Sequence, residues 1–316
     1  MTNRIRSTIT NTSLRRVLVL SAIPATQPDV GVSEFDARAT LTLSPPGDGL
    51  HPWLHVNALL TPPWEQALVV LPNAEKSRLP PILLGMGIAP ERILHLPKEA
   101  LQPPNSSSKL AKFMNQHTGR RAFIIGNGPS LKIADLDRLH DEITFASNKI
   151  YLAYDQADWR PTYYTVCDYL VAQNNADRIN ALVETKIFPS SLQQHGCGGT
   201  HVITYEERFE NKCFDQAREM ERAQADFLFS RDARFGVQGG YTVIYHQLQL
   251  AFFMGIREVY LIGLDFHFHV PKNVVEDPRF TSDVYRKALS STGECNHFHP
   301  DYRKPGENWS VPRMDL

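Results

Sequence analysis

The run Phe123-Ile124-Ile125-Gly126-Asn127-Gly128-Pro129-Ser130-Leu131 decides the fold of this chain. Apolar residues from Ala122 to Ile125 lead straight into two glycines around an asparagine, and Pro129 with Ser130 then opens a helix. A buried strand that breaks on glycines and restarts with proline at a helix's first position marks the start of a nucleotide site. Glycines let backbone approach a ligand closely, and a helix N-terminus offers unpaired N–H groups to phosphate. Gly126, Asn127, Gly128 and Ser130 are therefore the first candidate ligand residues.

Downstream of this run, apolar patterning predicts strands over 143–146, 163–166, 186–188, 201–204 and 258–263, with helices between several of them. The clearest helix spans 242–254 and ends on Gly255. It is apolar nearly all round, so it is expected deep inside. The strand after it, Val259-Tyr260-Leu261-Ile262-Gly263-Leu264, is a continuous apolar run of the kind a sheet covered on both faces requires. Alternation of this kind predicts an α/β fold: a Rossmann-like, mostly parallel sheet with helices on both faces. Upstream, strand-like runs at 17–22 and 67–72, a helix around 74–84 and a strand near 92–96 predict a small N-terminal α/β unit. Pro103, Pro104 and Ser106–Ser108 read as a linker, followed by a helix over 109–117. The domain boundary is placed near residue 118, giving 1–118 and 119–316.

In parallel sheets ligands bind outside the carboxyl ends of the strands. The predicted strands end in Gly126-Asn127-Gly128, in Ser147-Asn148, in Asp168 and, past Gly263, in Asp265. Four polar groups distant in sequence thus converge on one edge. Asn127 and Asn148 can donate and accept toward ribose, phosphate or base, and Asp168 and Asp265 can accept from sugar hydroxyls or hold a divalent cation. Each has a plainer alternative: an asparagine after a strand makes a turn, and an aspartate there caps the next helix. A second glycine step, Gly236 to Thr242, precedes the apolar helix. Gly240 and Thr242 there either bind ligand or simply cap that helix. The segment Asn296-His297-Phe298-His299-Pro300-Asp301-Tyr302 is too rich in histidine and aromatic residues for core filling. His297 is its general-base candidate, because histidine titrates near neutral pH. His299 is the weaker one.

The formal net charge of -1 gives no global field to recruit nucleic acid. No window holds the eighteen or so apolar residues of a membrane span. Val17–Ile23 reads as a first strand rather than a signal sequence, so a cytoplasmic location is expected. The four cysteines form no CxxC pair and are expected as reduced thiols. Alternating Cys295, His297 and His299 suggest a metal site only weakly, since structural zinc needs a fourth ligand.

The segments GNGPSL, EITFASNKIYL, RPTYYTVCDYLV, GGYTVIYHQLQLAFFMGIREVYLIGLDF and NHFHPDY together resemble the 6-hydroxymethylpterin diphosphokinase MptE-like domain family. More narrowly they resemble its bacterial branch among polysaccharide and flagellin-glycosylation proteins. The resemblance covers roughly 120–309. The scaffold is also similar to that of small bacterial sialyltransferases, which share a GNGPSL start and a GxDF strand end. That similarity implies a CMP-type nucleotide-sugar donor and no tightly bound cofactor. It also implies inversion at the anomeric carbon after a histidine deprotonates the acceptor. Carried over, Asn127, Gly128, Ser130 and Asn148 hold the nucleotide and His297 is the base. The sialyltransferases place tyrosines shortly after GxDF, whereas His267, Phe268 and His269 stand here, so His267 becomes the replacement proton donor. The diphosphokinase side of the family implies ATP and Mg²⁺ held by Asp168 and Asp265. Related domains continue past Trp309 into a helix, which points to a truncated or inactive member as a further expectation.

The first expectation is therefore a nucleotide-sugar-dependent glycosyltransferase with a small-molecule nucleotide substrate, a glycan acceptor and room for an oligomer. The alternatives are a Mg²⁺-dependent diphosphokinase and a non-catalytic nucleotide- or glycan-binding protein. Fold alone does not choose among them.

Overall fold

The apolar runs become strands of two separate parallel sheets. The computed structural model describes residues 17–21, 38–42, 68–70, 83–94, 109–208, 229–240, 242–265, 267, 269, 275–276, 288–290, 296–304 and 307–310. The chain divides into two units, one made of Met1–Asn105 with Arg208–Gly239 and the other of Ser106–Glu207 with Gly240–Leu316. The sequence places one cut near residue 118; the units divide at 105/106, and 208–239 goes with the N-terminal residues.

In the first unit, β1 (Val17–Ser21), β2 (Arg38–Thr42), β3 (Leu68–Val70) and β4 (Ile93–Leu94) form a sheet of order β2-β1-β3-β4. Every pairing in it is parallel. Of the helix expected over 74–84, residues 83 and 84 are helical and 74–82 lie outside the described residues.

The second unit is the Rossmann-like α/β body. Its chain order is β5 (Arg121–Ile125), α1 (Ile133–Leu136), β6 (Ile143–Ser147), β7 (Tyr163–Thr165), α2 (Tyr169–Ala181), β8 (Thr185–Pro189) and β9 (Val202–Tyr205). The chain then enters 208–239, which belongs to the first unit, where two-residue strands β10 (Glu207–Arg208) and β11 (Val237–Gln238) make a ribbon of their own. Then come α3 (Val243–Phe253) and β12 (Glu258–Ile262). Six strands join in the order β12-β5-β6-β7-β8-β9, all parallel. Short strands β13 (Val275–Glu276), β14 (Ala288–Ser290) and β15 (Asn308–Ser310) pair antiparallel in a third sheet.

Strand alternation gives the large sheet two buried faces. Ile125, Ala146, Tyr164 and Phe188 point one way and pack with Ala172 and Ile179 of α2. Thr165 points the other way, where Gln247 of α3 donates to its hydroxyl at 2.7 Å. Helices thus cover both faces, as expected for this fold class.

Three local expectations change. The helix predicted over 109–117 is only a 3-10 turn, Leu110–Phe113, because Met114 turns out of helical geometry. The strand β12 lies at the sheet's edge among the described residues, so its apolar run is not covered on both faces. Tyr260 and Leu261 are 43% and 45% exposed. The α3 helix has no exposed residue, as its composition predicts, yet it buries His246, Gln247 and Gln249 as well. The His246 Nδ1 lies 2.6 Å from the Tyr205 hydroxyl, a buried polar contact that an apolar helix pattern gives no hint of.

Candidate active site at the strand ends

The glycine turn after β5 is packed by protein. A Cβ on Gly126 would sit 2.3 Å from the Gly263 carbonyl oxygen, and one on Gly128 would sit 1.9 Å from the Asp265 Oδ2. Both glycines are thus required by the approach of the segment leaving β12. Gly263 turns that segment with a φ of 67°. The turn's donors are engaged as well. The Gly126 N–H donates to the Ile262 carbonyl (2.8 Å), Gly128 to Gly263 (2.9 Å) and Leu131 back to Gly128 (3.1 Å). The Ser130 N–H donates to the Asp265 carboxylate at 3.2 Å.

Beside this turn, several predicted residues form one closed circuit. The Asn127 Nδ2 donates to the Ser147 carbonyl at 3.2 Å, bridging the ends of β5 and β6. The Asn127 carbonyl accepts from the Phe298 N–H at 3.0 Å. Next to Phe298, the His297 ring stacks on Tyr302 with centroids 3.7 Å apart and planes 4° from parallel. Lys149, two residues past Ser147, holds its ammonium over the Tyr302 ring, 5.8 Å from the centroid, which closes the ring of contacts. Burial holds the Tyr302 phenol far above its ordinary value. Asn148 occupies the left-handed region at φ 53°, which asparagine tolerates, and its carbonyl accepts from the buried Tyr164 hydroxyl at 2.6 Å.

Within that circuit the Oδ1 atoms of Asn127 and Asn148 are buried and have no hydrogen-bond partner. Buried acceptors are normally paired, and an orphan costs about 1–3 kcal/mol. Two together at strand ends mark a place where an incoming donor group is welcome.

The segment that carries His297 is fastened to β6. Lys149 Nζ lies 2.6 and 2.7 Å from the two carboxylate oxygens of Glu307, both side chains largely buried. Burial lowers the Lys149 pKa, and the Glu307 carboxylate opposes that shift. Sequence reading did not single out Lys149, Tyr302 or Glu307. The density of aromatic and charged residues around NHFHPDY was the only available signal for Tyr302, and no spacing pairs Lys149 with Glu307.

Other predicted residues take structural roles. Asp168 caps α2, its Oδ1 accepting from Leu170 N–H at 2.7 Å and Val171 N–H at 3.3 Å. Thr242 caps α3 through Ile244 N–H, and a Cβ on Gly240 would meet the Tyr245 ring at 2.4 Å. His299 accepts from the Asp301 N–H and so starts the turn Pro300–Tyr302 that presents Tyr302. His267 is exposed on the segment leaving β12, and that segment is tied to the His297 loop by Asn296, whose amide bonds both the N–H and the carbonyl of His269. Cys167 and Cys197 form no disulfide, and burial pushes the Cys197 thiol up to about 11. Cys213 and Cys295 lie outside the described residues. Among the described residues no group of three or more His, Cys, Asp or Glu is arranged to hold a metal ion, and no helix is long and apolar enough to cross a membrane.

No protein-family model matches the chain, and no curated protein does. Among solved structures it is similar to a MAf glycosyltransferase from Magnetospirillum magneticum AMB-1, at 17% identity and a TM-score of 0.32. The match covers 55% of this chain and 30% of that one, so the chain spans under a third of that protein. A likeness this distant carries no functional argument. The resemblance to the MptE-like family rests on the motifs alone.

Proposed function

We propose that this chain is a nucleotide-sugar-dependent glycosyltransferase, sialyltransferase-like and inverting. The observation that carries this reading is the circuit itself: two buried, unpartnered amide oxygens on Asn127 and Asn148 within one ring of contacts that also presents His297. The amide oxygens would accept from hydroxyl or amino groups of the donor nucleotide. His297 would take the acceptor hydroxyl's proton as its oxygen attacks the anomeric carbon, and the bond from that carbon to the donor phosphate would break, releasing the nucleotide monophosphate. Asp168 supports the donor side by ordering α2, and Asp265 by holding the glycine turn. Positioning of donor and acceptor in a desolvated edge supplies much of the acceleration.

The test begins with thermal shift against CMP, CDP, UDP, GDP, ATP and CMP-sialic acid, with and without Mg²⁺. A ligand that binds the folded state raises Tm. CMP or CMP-sialic acid should do so with EDTA present. With the accepted donor, His297→Ala should keep the Tm rise yet lose about 10²–10⁴ in kcat. Loss of the response in EDTA and in Asp168→Asn would instead favour the diphosphokinase. No response to any nucleotide would leave a non-catalytic protein.

A further inference from the structure

The sequence makes the glycine turn a phosphate cradle, but an acid stands over it. Asp265 Oδ2 accepts from the Ser130 N–H and lies where a Gly128 side chain would begin. Gly126, Gly128 and Leu131 give their N–H groups to backbone carbonyls. The turn therefore presents a carboxylate rather than a set of vacant donors. A phosphoryl group brought there would meet like charge at van der Waals distance.

We propose that Asp265 is a specificity-determining residue that closes the glycine turn to phosphoryl groups, so that the neighbouring Asn127–Asn148–His297 site takes nucleotides with a single phosphate and rejects polyphosphates. The choice of nucleotide as ligand rests on the glycosyltransferase reading; the closure of the turn does not. It belongs to the geometry of Gly128, Ser130 and Asp265. Exclusion of di- and triphosphates would also separate this site from phosphoryl donors such as ATP.

The test titrates inorganic pyrophosphate into the full chain, its Asp265→Asn variant and its Asp265→Ala variant, following the amide resonances of Gly126, Gly128 and Ser130. The wild type should show no saturable shift, whereas both variants should bind at least about tenfold more tightly. Asn keeps an acceptor for the Ser130 N–H, so it decides the question if the alanine variant does not fold. Saturable binding at the wild-type turn overturns the proposal, and so does an Asp265→Asn variant that gains nothing. A parallel Tm series compares CMP with CTP: equal stabilisation of the wild type by the two also overturns it. If neither nucleotide stabilises the wild type while the pyrophosphate result holds, the glycosyltransferase reading falls and the closed turn stands.

Discussion

The glycine turn after β5 and the asparagine turn after β6 lie side by side, and they solve opposite problems. The first is closed: its glycines admit the backbone of 263–265, and its N–H groups find carbonyls and the Asp265 carboxylate. The second is open in the chemical sense: Asn148 at its tip, and Asn127 reaching across from the glycine turn to Ser147, bring acceptor oxygens to a buried place and leave them unanswered. A glycine-rich strand end thus reports a close approach without saying what approaches. Here the partner of the glycines is the protein's own chain, and the unanswered acceptors belong to the two asparagines at the ends of β5 and β6.

The sharpest way to break the comparison is Gly126→Ala. Its new methyl would lie 2.3 Å from the Gly263 carbonyl oxygen and 2.9 Å from the carbonyl carbon. Backbone cannot swing aside as a side chain can, so β5 and the segment leaving β12 must part. A loss of about 3 kcal/mol is expected in urea-induced unfolding. Were Gly126→Ala as stable as the wild type, the turn would be loose, and the closed half of the comparison would fail.

Alkaline pH should separate the two turns next. Burial raises the phenols of Tyr164 and Tyr302, which hold the asparagine turn. A folded pKa above the unfolded value near 10 means that stability is whole below pH 10 and declines as pH rises beyond it, since the unfolded chain releases those protons first. The other bonds of the glycine turn run from backbone N–H to backbone carbonyl and have no such proton to lose. Hydrogen exchange corrected for the intrinsic rate at each pH should therefore show protection falling at Asn148 and Lys149 before it falls at Gly126 and Gly128. Tyr302→Phe should flatten part of that decline, because it removes one of the two raised phenols. Equal loss of protection at both turns would show that they open as one unit.

The large sheet was legible because apolar runs punctuated by Gly, Asn and Asp leave little choice of element. All six of its strands fall within a residue or two of their predicted places, and Asn127 at the end of β5 bonds across to Ser147 at the end of β6. Position in the sheet was not legible. The apolar Val259–Ile262 run reads as covered on both faces, yet among the described residues β12 is an edge strand with Tyr260 and Leu261 exposed, because a continuous run records burial propensity and not the neighbour that supplies it. The stack of His297 on Tyr302 and the Lys149–Glu307 pair join residues far apart in the fold's chemistry, if not always in sequence, and no local periodicity encodes them. Asp168 and Thr242 show the plainer alternative at work: a polar residue at a strand end or helix start caps the N–H groups of the helix that follows.

The smallest structural effect, and the one that best separates folding from function, belongs to Asn148→Gly. The position has φ 53°, which costs glycine nothing, and the backbone bonds of Asn148 to Thr165 and Tyr164 survive the change. The variant gives the unfolded chain a glycine's extra backbone freedom but also removes a buried acceptor that nothing satisfies. These terms oppose, so stability should move by no more than about 0.5 kcal/mol. Ligand response should behave otherwise: if the Oδ1 is there to receive a donor group, the nucleotide-induced rise in Tm should shrink by the equivalent of roughly tenfold in affinity. An Asn148→Gly protein that is markedly less stable, yet responds to nucleotide as the wild type does, would make the residue an ordinary turn former. One that folds normally and no longer responds would identify the unanswered oxygen as the reason an asparagine stands at the end of β6.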